Sequence, residues 1–299
     1  MLNTQKKNAL HLSPVVAGMW RLVEWELTVA QRLELIERCI ALGVTSFDHA
    51  DIYGDYQCEA LFGEAIRLAP ALRQQMQLVS KCGIRLISSN RPQHLIKRYD
   101  TSYQHIVSSA ENSLQQLNTD YLDCLLIHRP DPLMDAEEVA RALGDLIQAG
   151  KILSAGVSNF LPHQVELLQS RCDFALVANQ IEISVLQTQS LFDGSLDYCQ
   201  QKKMLPMAWS PLSGGRLFNG ESQQSIRVIG VLSQIADDIE CTADQVALAW
   251  LMRHPAGIKP IVGSGNLDRI RTALEATRVT LQDEQWYAIL QASQGRAVP

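Results

Sequence analysis

The sequence predicts an α/β fold, a (β/α)8 TIM barrel in a single domain with an additional C-terminal helix. Short apolar or β-branched segments alternate eight times with stretches in which apolar residues recur three and four positions apart, the spacing of an amphipathic helix. Segment 122–128 (LDCLLIH) is almost continuously apolar, as expected for a parallel strand buried on both faces. Because no change of composition divides the chain, we expect one domain over residues 1–299.

A doubly wound open sheet is the alternative arrangement of the same units. Its dinucleotide-binding loop has the pattern Gly-x-Gly-x-x-Gly after the first strand, and this sequence has no such pattern there. Eight evenly distributed units are also many for an open sheet. The barrel is therefore the favoured interpretation.

The predicted elements follow one another in a regular order along the chain. Strands are predicted at 15–21, 45–50, 76–83, 122–128, 152–159, 174–183, 205–211 and 259–265. Helices are predicted at 29–42, 59–69, 103–117, 136–149, 162–169 and 191–203, over most of 226–253, and at 267–276 and 281–293. Local chemistry sets several helix ends: Gly43 and Gly150 occupy C′ positions, Pro70 stops the second helix, and Thr101 or Ser102 can cap the third.

Composition and charge exclude several classes of protein. The 26 Lys and Arg and 32 Asp and Glu residues leave a net charge of −6 without a basic block, which argues against nucleic-acid binding. No apolar run reaches the roughly 18–20 residues of a membrane span, and residues 1–16 lack the apolar stretch of a secretory signal. The seven widely spaced cysteines predict reduced thiols rather than disulfides or a structural zinc site. We therefore expect a cytoplasmic protein.

Polar and aromatic side chains fall where the predicted strands end. In a (β/α)8 barrel, the carboxyl ends of the strands carry the active site. The residues at or just after these ends are Trp20, Arg21, Asp48, Tyr53, Lys81, His128, Ser158, Asn159, Gln180, Trp209, Ser210 and Ser264. Packing alone would place Val, Ile or Leu at many of these positions, so the sequence predicts a functional site at this rim.

Four of these residues form a chemical unit suited to carbonyl reduction. Tyr53 is a phenol, with an ordinary pKa of about 10, and can donate a proton. The Lys81 ammonium would lower that pKa, and the Asp48 carboxylate would hold Lys81 in place. His128 could orient a carbonyl oxygen. Each group alone is commonly structural, so their coincidence on one rim is what indicates chemistry.

Seven segments resemble, in order and spacing, the signatures of the aldo-keto reductase family across residues 15–277. They are FDHADIYG (47–54), VSK (79–81), LLIHRPDP (125–132), GVSNF (156–160), NQIEIS (179–184), AWSPLSGG (208–215) and IVGSGNLDRI (261–270). The resemblance implies a TIM barrel that binds NADP(H), holds no metal, and reduces a small aldehyde or ketone to an alcohol by hydride transfer.

The resemblance also implies a role for individual residues. It places the catalytic tetrad at Asp48, Tyr53, Lys81 and His128, with Tyr53 as the proton donor. It places the cofactor contacts at Gly18, Met19, Trp20, Ser158, Asn159, Gln180, Trp209, Ser210, Leu212, Gly214, Ser264 and Arg269. In this set, Trp209 would stack on the nicotinamide ring, and Ser264 and Arg269 would lie at the 2′-phosphate.

Several positions depart from the family pattern. His49 stands where threonine is common, and the expected role of its imidazole is to fill space. Gly263 replaces a cation that many members place before the serine. Thr272 and Ala273 replace an acidic residue and an asparagine in the following helix. These changes predict fewer contacts to the adenosine part of the cofactor.

Two other functions stay open at this point. An NADP-binding redox-sensing or regulatory barrel subunit with little turnover would share the fold and the cofactor. A metal-dependent barrel hydrolase would use Asp48, His49 and His128 as ligands, but the first strand lacks a His-x-His pair. No nucleic-acid or membrane partner is expected. The helical spacing of residues 287–290 fits packing on this chain, as in a monomer, as well as on another copy.

Overall fold

The computed structural model describes residues 10–220 and 222–299. Its strands are β1 (Val16–Gly18), β2 (Ser46–Asp48), β3 (Gln77–Cys82), β4 (Ile84–Arg85), β5 (Arg98–Tyr99), β6 (Cys124–Ile127), β7 (Ala155–Ser158), β8 (Leu176–Glu182), β9 (Leu205–Trp209) and β10 (Lys259–Val262). Its α-helices are α1 (Val29–Leu42), α2 (Tyr53–Tyr56), α3 (Cys58–Leu68), α4 (Tyr103–Leu117), α5 (Ala136–Gln148), α6 (Pro162–Gln169), α7 (Ser195–Lys202), α8 (Arg216–Asn219), α9 (Gln223–Asp238), α10 (Ala243–Met252), α11 (Leu267–Glu275) and α12 (Asp283–Gln294). Short 3₁₀ turns cover Leu22–Trp25, Pro70–Gln75, Gln189–Leu191, Ser213–Gly215 and Ala276–Arg278.

Eight parallel strands close into a barrel in the order β1-β2-β3-β6-β7-β8-β9-β10, which confirms the predicted (β/α)8 fold. The barrel closes where β1 pairs with β10, with Val16 opposite Ile261. On its other side β1 pairs with β2, with Gly18 opposite Asp48. The strands β4 and β5 form a separate antiparallel pair outside the barrel. This pair and the segment between its strands were not predicted from the sequence.

The strand period of two divides the core into an inner and an outer layer. The inner layer fills the barrel with buried side chains that include Val16, Val79, Leu126, Met207 and Ile261. The outer layer lies between the strands and the surrounding helices. The barrel is therefore a packed core, and the polar groups of its carboxyl end lie on top of this core.

Helix ends follow the predicted local chemistry. Thr28 caps α1 in a capping box with Gln31, and Gly43 ends that helix at a φ of 91°, where a residue with a Cβ would be strained. Ser102 caps α4 by accepting a hydrogen bond from the backbone N–H of His105. At Gly63 the helices α3 and α4 approach so closely that a Cβ would lie 1.9 Å from the backbone oxygen of Gln116.

Some predicted bounds differ from the structure. The helix predicted over 191–203 begins at Ser195, because Gly194 is left-handed and Asp193 accepts a hydrogen bond from the Ser195 N–H. The strands are shorter than predicted, since the rim residues leave the ladder and turn into loops. The secretory-signal and single-domain predictions include residues 1–9 and Glu221, which lie outside the described residues. None of the helices formed by the described residues has the length and apolar character needed to span a bilayer.

Candidate active site

The centre of the site is the Lys81 ammonium, which is fully buried inside the barrel. Its Nζ lies 2.8 Å from both carboxylate oxygens of Asp48 and 2.6 Å from the backbone oxygen of His49. It also donates to the phenol oxygen of Tyr53 over 2.9 Å. Two adjacent strand ends and one turn therefore bring a carboxylate, an ammonium and a phenol into direct contact.

Strand alternation accounts for the position of these groups. On β3, Val79 and Lys81 face the barrel interior, whereas Ser80 faces the helices and donates to Glu59 of α3. Asp48 is the last residue of β2 and is 2% exposed. A lysine beside a carboxylate thus replaces an apolar layer at this end of the barrel.

The turn that carries Tyr53 has an unusual backbone. Gly54, Asp55 and Tyr56 all have positive φ, at 56°, 56° and 67°. A Cβ at Gly54 would lie 2.5 Å from the Cys58 sulfur, so only glycine fits there. Asn90 donates from Nδ2 to the backbone oxygen of Asp55 over 2.9 Å, which ties the turn to the segment between β4 and β5. The left-handed turn holds the phenol over Lys81.

Burial and the nearby carboxylate determine the protonation of the phenol. Burial, followed by the Asp48 carboxylate, raises the pKa of Tyr53 well above its ordinary value. Burial lowers the pKa of Lys81, and Asp48 opposes that shift. The net shift of the Tyr53 pKa is therefore upward, opposite to the lowering predicted from the sequence, because burial and Asp48 dominate it. The phenol stays protonated through neutral pH, as a proton donor must.

His128 follows β6 and reaches the same space. Its ring centroid lies 6.0 Å from that of Tyr53, at an interplanar angle of 78°. Burial, reinforced by the Lys81 cation, holds the pKa of His128 well below its ordinary value. The imidazole is therefore neutral and can donate one hydrogen bond to a ligand oxygen.

Polar groups on β7, β8 and β9 continue the site. The Gln180 side-chain amide donates to Asp48 over 2.7 Å, which connects it to the Lys81 cluster. Ser158 donates to the backbone oxygen of Gln180, and Asn159 donates to the Ser158 hydroxyl over 2.8 Å. The Trp209 indole N–H donates to Asn159 Oδ1 over 2.9 Å. These bonds fix the indole ring at the barrel mouth.

The loop after β9 carries a run of left-handed residues. Ser210, Ser213, Gly214 and Gly215 have positive φ, at 50°, 56°, 64° and 94°. The loop also contains Leu212 and leads into the short helix α8. A Cβ at Gly214 would meet nothing within 4 Å, so the backbone angle rather than crowding favours glycine there.

The segment after β10 offers a cation at a helix start. Asn266 caps α11 by accepting from the backbone N–H groups of Asp268 and Arg269. The Ser264 hydroxyl accepts from the Asn266 N–H over 3.1 Å. Arg269 is exposed, and within the described residues no carboxylate forms an ion pair with it. Arg271 pairs with Asp268 at 2.8 Å instead. This helix start suits an anionic group.

The remaining predicted cofactor residues border the mouth beside β1. Gly18 lies so close to β10 that a Cβ would meet the Ile261 side chain at 2.8 Å. Met19 is buried, and its N–H donates to the backbone oxygen of Asp48. Trp20 is 56% exposed, with the Arg21 guanidinium 5.3 Å from its ring centroid. The side-chain amides, the indole, the left-handed loop and the Arg269 cation together fit a nicotinamide dinucleotide with a 2′-phosphate.

Sequence reasoning missed Arg129, although it lies in the segment LLIHRPDP. Its guanidinium is 5.6 Å from the Trp209 ring centroid and is half-buried at the mouth. Its charge also opposes the burial-driven rise in the pKa of Tyr53. The only signal was its position next to His128, because a charged residue in a loop is usually solvated.

His49 faces away from the site. Its ring is fully buried and stands edge-on to Phe62, with centroids 4.6 Å apart. Burial lowers the pKa of His49 to about 3. Both Asp48 oxygens are bound to Lys81, so Asp48, His49 and His128 do not converge on one point. The geometry thus contradicts the metal-hydrolase alternative.

Comparisons with known proteins show the family. The sequence profile of the Aldo/keto reductase family matches residues 14–294. The oxidoreductase YdhF of Escherichia coli is 50% identical over 96% of this chain and 95% of its own. A 6-dehydroglucose reductase of Agrobacterium fabrum is 45% identical over 97% of each chain. The crystal structure of an aldo/keto reductase from Klebsiella pneumoniae, in complex with NADP and acetate, is similar with a TM-score of 0.76, at 27% identity over 98% of this chain and 96% of that one.

Proposed function

The chain belongs to the aldo/keto reductase family, and on that premise we propose that it reduces the carbonyl group of a small aldehyde or ketone to an alcohol with NADPH, using Tyr53 as the proton donor. The observation that carries the proposal is the 2.9 Å hydrogen bond from Lys81 to the Tyr53 oxygen. Because the phenol oxygen accepts this bond, its own proton points elsewhere and can be donated.

The roles of the four residues follow from their contacts. When bound, NADPH supplies the hydride that reduces the carbonyl carbon. Tyr53 donates its proton to the carbonyl oxygen as negative charge develops there, and a developing alkoxide is basic enough to take it. Lys81 stabilises the phenolate that remains, and Asp48 keeps Lys81 oriented. Neutral His128 orients the carbonyl oxygen by donating one hydrogen bond.

We assign the binding of NADP(H) to residues at or after the carboxyl ends of β1, β7, β8, β9 and β10. Ser158, Asn159 and Gln180 would hydrogen-bond the carboxamide, and Trp209 would stack on the nicotinamide ring. The left-handed loop after β9, with Ser210, Leu212 and Gly214, would follow the pyrophosphate. Ser264 and Arg269 would bind the 2′-phosphate, and Gly18, Met19 and Trp20 would border the nicotinamide and the substrate.

The substrate we infer is a small hydroxylated aldehyde. Arg129 places an unpaired guanidinium, as judged over the described residues, beside His128 at the mouth. A guanidinium donates several hydrogen bonds to substrate oxygens. Relatives named 6-dehydroglucose reductase, at 45% and 37% identity, act on a compound of this kind.

The decisive experiment compares wild type with Tyr53→Phe on a panel of plain and hydroxylated aldehydes, followed by NADPH consumption. We expect Tyr53→Phe to reduce kcat/KM by about 10²–10⁴-fold, the usual effect of losing a general acid. NADPH affinity should hardly change, because Tyr53 has no role in holding the cofactor. Tyr287→Phe, whose ring is 48% exposed on α12, is the matched control and should keep full activity.

Two results would contradict this proposal. A Tyr53→Phe enzyme that keeps most of its rate would contradict the assignment of the proton donor. A wild-type protein that binds NADPH but turns over no carbonyl compound would point instead to the regulatory-subunit alternative.

A further inference from the structure

A polar cavity of about 480 Å³, separate from the site at the barrel mouth, lies outside the barrel wall behind the turn that carries Tyr53. It is enclosed by that turn, by the segment between β4 and β5, and by one face of α4. The lining residues that matter are Asp51, Tyr56, Arg85, Arg91, His94 and His105. None of the four tetrad residues lines it. Its volume falls in the range of small-molecule sites.

The wall of the cavity contains a buried carboxyl group with an unused oxygen. Asp51 is 7% exposed, and its Oδ1 has no hydrogen-bond partner among the residues the structure describes. Burial, followed by the neighbouring Glu59 carboxyl, raises the pKa of Asp51 well above its ordinary value. A buried polar atom of this kind is normally satisfied by some partner. A ligand hydroxyl would supply one.

The wall also contains an arginine without a carboxylate. Arg85 pairs at 2.9 Å with Asp100, a carboxylate that it shares with Arg98, and donates to His94 over 3.0 Å. Arg91 lies over Tyr56, with its guanidinium carbon 4.6 Å from the ring centroid, and donates to the backbone oxygen of Asn90. In residues 10–220 and 222–299, Arg91 forms no ion pair. It is half-buried, so its charge faces the cavity with little screening.

The other titratable groups of the lining carry little charge. Burial lowers the pKa of His105, and the Arg85 cation lowers it further. His94 accepts from Arg85 at Nε2 and contacts the backbone oxygen of Leu86 at Nδ1 over 3.0 Å, which is the pattern of a neutral ring. Because burial favours the neutral form of Asp51 and Arg85 pairs with Asp100, the positive charge of the lining is centred on Arg91.

We propose that this cavity is a binding site for a small hydroxylated anion, with the carboxylate or phosphate on Arg91 and a hydroxyl group on Asp51. Side-chain amides and hydroxyls around the remaining wall suit a polyhydroxylated body. The ligand would contact the segment that clamps the catalytic turn, because Tyr56 lines the cavity and its phenol oxygen accepts from the Leu86 N–H over 2.8 Å. The site is separate from the carbonyl-reducing centre and does not depend on its assignment.

The test measures binding by calorimetry on the full chain saturated with NADP⁺. The probes are gluconate and glucose 6-phosphate, compared with hexanoate and inorganic phosphate, which lack the hydroxyl groups, and with glucose, which lacks the charge. We expect the two hydroxylated anions to bind more tightly than all three comparison compounds. The tighter of the two identifies the head group that the site prefers.

Three matched arginine variants locate the bound anion, and a fourth variant tests the hydroxyl contact. Arg91→Gln should weaken binding at least about 10-fold, the effect of losing a charge-assisted hydrogen bond. Arg98→Gln changes an arginine of the adjacent strand β5 that lies outside the lining, and binding should not change. Arg129→Gln changes the arginine at the barrel mouth and should also leave binding unchanged. Asp51→Ala should reduce the preference for gluconate over hexanoate.

The proposal is overturned if neither anion binds at millimolar concentration, or if Arg129→Gln abolishes binding while Arg91→Gln does not. The second result would place the anion in the active site. Equal affinity for gluconate and hexanoate in wild type would also overturn it, because the Asp51 contact would then have no effect. An unchanged circular-dichroism spectrum and thermal unfolding midpoint of each variant serve as the folding control.

Discussion

At β2 and β3, the buried ionisable groups on the inner side of the barrel wall are paired with an opposite charge, and those on the outer side are not. Asp48 and Lys81 face inward, whereas their chain neighbours His49 and Ser80 face the helices. On the inner side, a carboxylate and an ammonium form an ion pair at 2.8 Å. On the outer side, burial raises the pKa of Glu59 to about 7 and lowers that of His49 to about 3.

The difference shows that burial alone does not determine protonation. A buried group keeps its charge where an opposite charge lies within hydrogen-bond distance, and becomes neutral where none does. Catalysis needs the first condition, since Lys81 must stabilise a phenolate. The outer groups do not contact the reacting phenol, and some of their atoms, such as Asp51 Oδ1, have no hydrogen-bond partner among the described residues. The predictions below alter one side at a time.

The largest effect is expected for Lys81→Met, which breaks the inner ion pair. The Asp48 carboxylate would be left buried without a partner, and this should lower the free energy of unfolding by about 3–5 kcal/mol. Carbonyl reduction should fall by about 10²–10⁴-fold, because the phenolate of Tyr53 loses its stabilising charge. Urea denaturation and NADPH consumption measure the two effects.

Two double variants check this interpretation. Adding Asp48→Asn to Lys81→Met should recover part of the lost stability, since the unpaired charge disappears. This double variant should recover no activity. Adding Tyr53→Phe should reduce activity little further, because the two residues act as a unit. Multiplicative losses in the second double variant would mean that Lys81 and Tyr53 act independently.

The next effect concerns Glu59, the acid on the outer side. Its folded pKa of about 7 exceeds the unfolded value of about 4.3, so the folded protein binds the proton more tightly. Stability from this group is therefore present below the unfolded pKa and is lost as pH rises towards 7, by up to about 3 kcal/mol. Glu59→Gln should remove that loss and become more stable than wild type above pH 7. Thermal unfolding of both proteins between pH 5 and 8 would reveal it; parallel curves would show that Glu59 is ionised throughout.

The inner side was far more predictable from the sequence than the outer side. Parallel strands end at one rim, so Asp48, Lys81 and His128 could be placed together from strand assignment alone. Helices with clear caps, such as those over 29–42 and 103–117, have the predicted bounds. These features depend on local patterns that the chain repeats.

Features that depend on contacts between distant segments could not be predicted. The antiparallel pair β4–β5 contains only two residues in each strand, too few for a period to show. The left-handed angles of Asp55 and Tyr56 depend on Asn90 and Leu86, more than 29 residues away. The amide of Gln180 binds Asp48 across 132 residues of chain. Side-chain pairs of this kind decide the electrostatics of the site, including the raised pKa of Tyr53.

A third prediction concerns Arg269, an exposed cation that, in the described part of the chain, has no carboxylate partner. A charge-assisted pair with a 2′-phosphate contributes roughly 1.5–3 kcal/mol, which corresponds to about a 10- to 150-fold preference for NADPH over NADH. Arg269→Ala should erase most of this preference and hardly change NADH binding. Arg271→Ala, next but one on the same helix and paired with Asp268, is the control. Equal affinities for both cofactors in wild type would show that Arg269 does not reach the phosphate.

The smallest effect is expected for His49→Leu, which replaces an unpartnered buried ring by an apolar side chain of similar size. Both ring nitrogens of His49 lack hydrogen-bond partners among the described residues, so the substitution loses no bond and keeps the contact with Phe62. The backbone oxygen that accepts from Lys81 is unchanged, and activity should stay within a few-fold of wild type. At pH 7–8 stability should change by less than about 1.5 kcal/mol, the usual effect of a volume-conserving core substitution.

Below about pH 6.5 the unfolded chain binds a proton at His49 that the folded protein does not, so wild type loses stability as pH falls and the variant gains relative to it. Chemical denaturation of both proteins at pH 5 and pH 8 measures this relative gain in stability. If His49→Leu instead abolished activity at pH 8 in a fully folded protein, the outer side of the wall would take part in catalysis, and the separation between the two sides would fail.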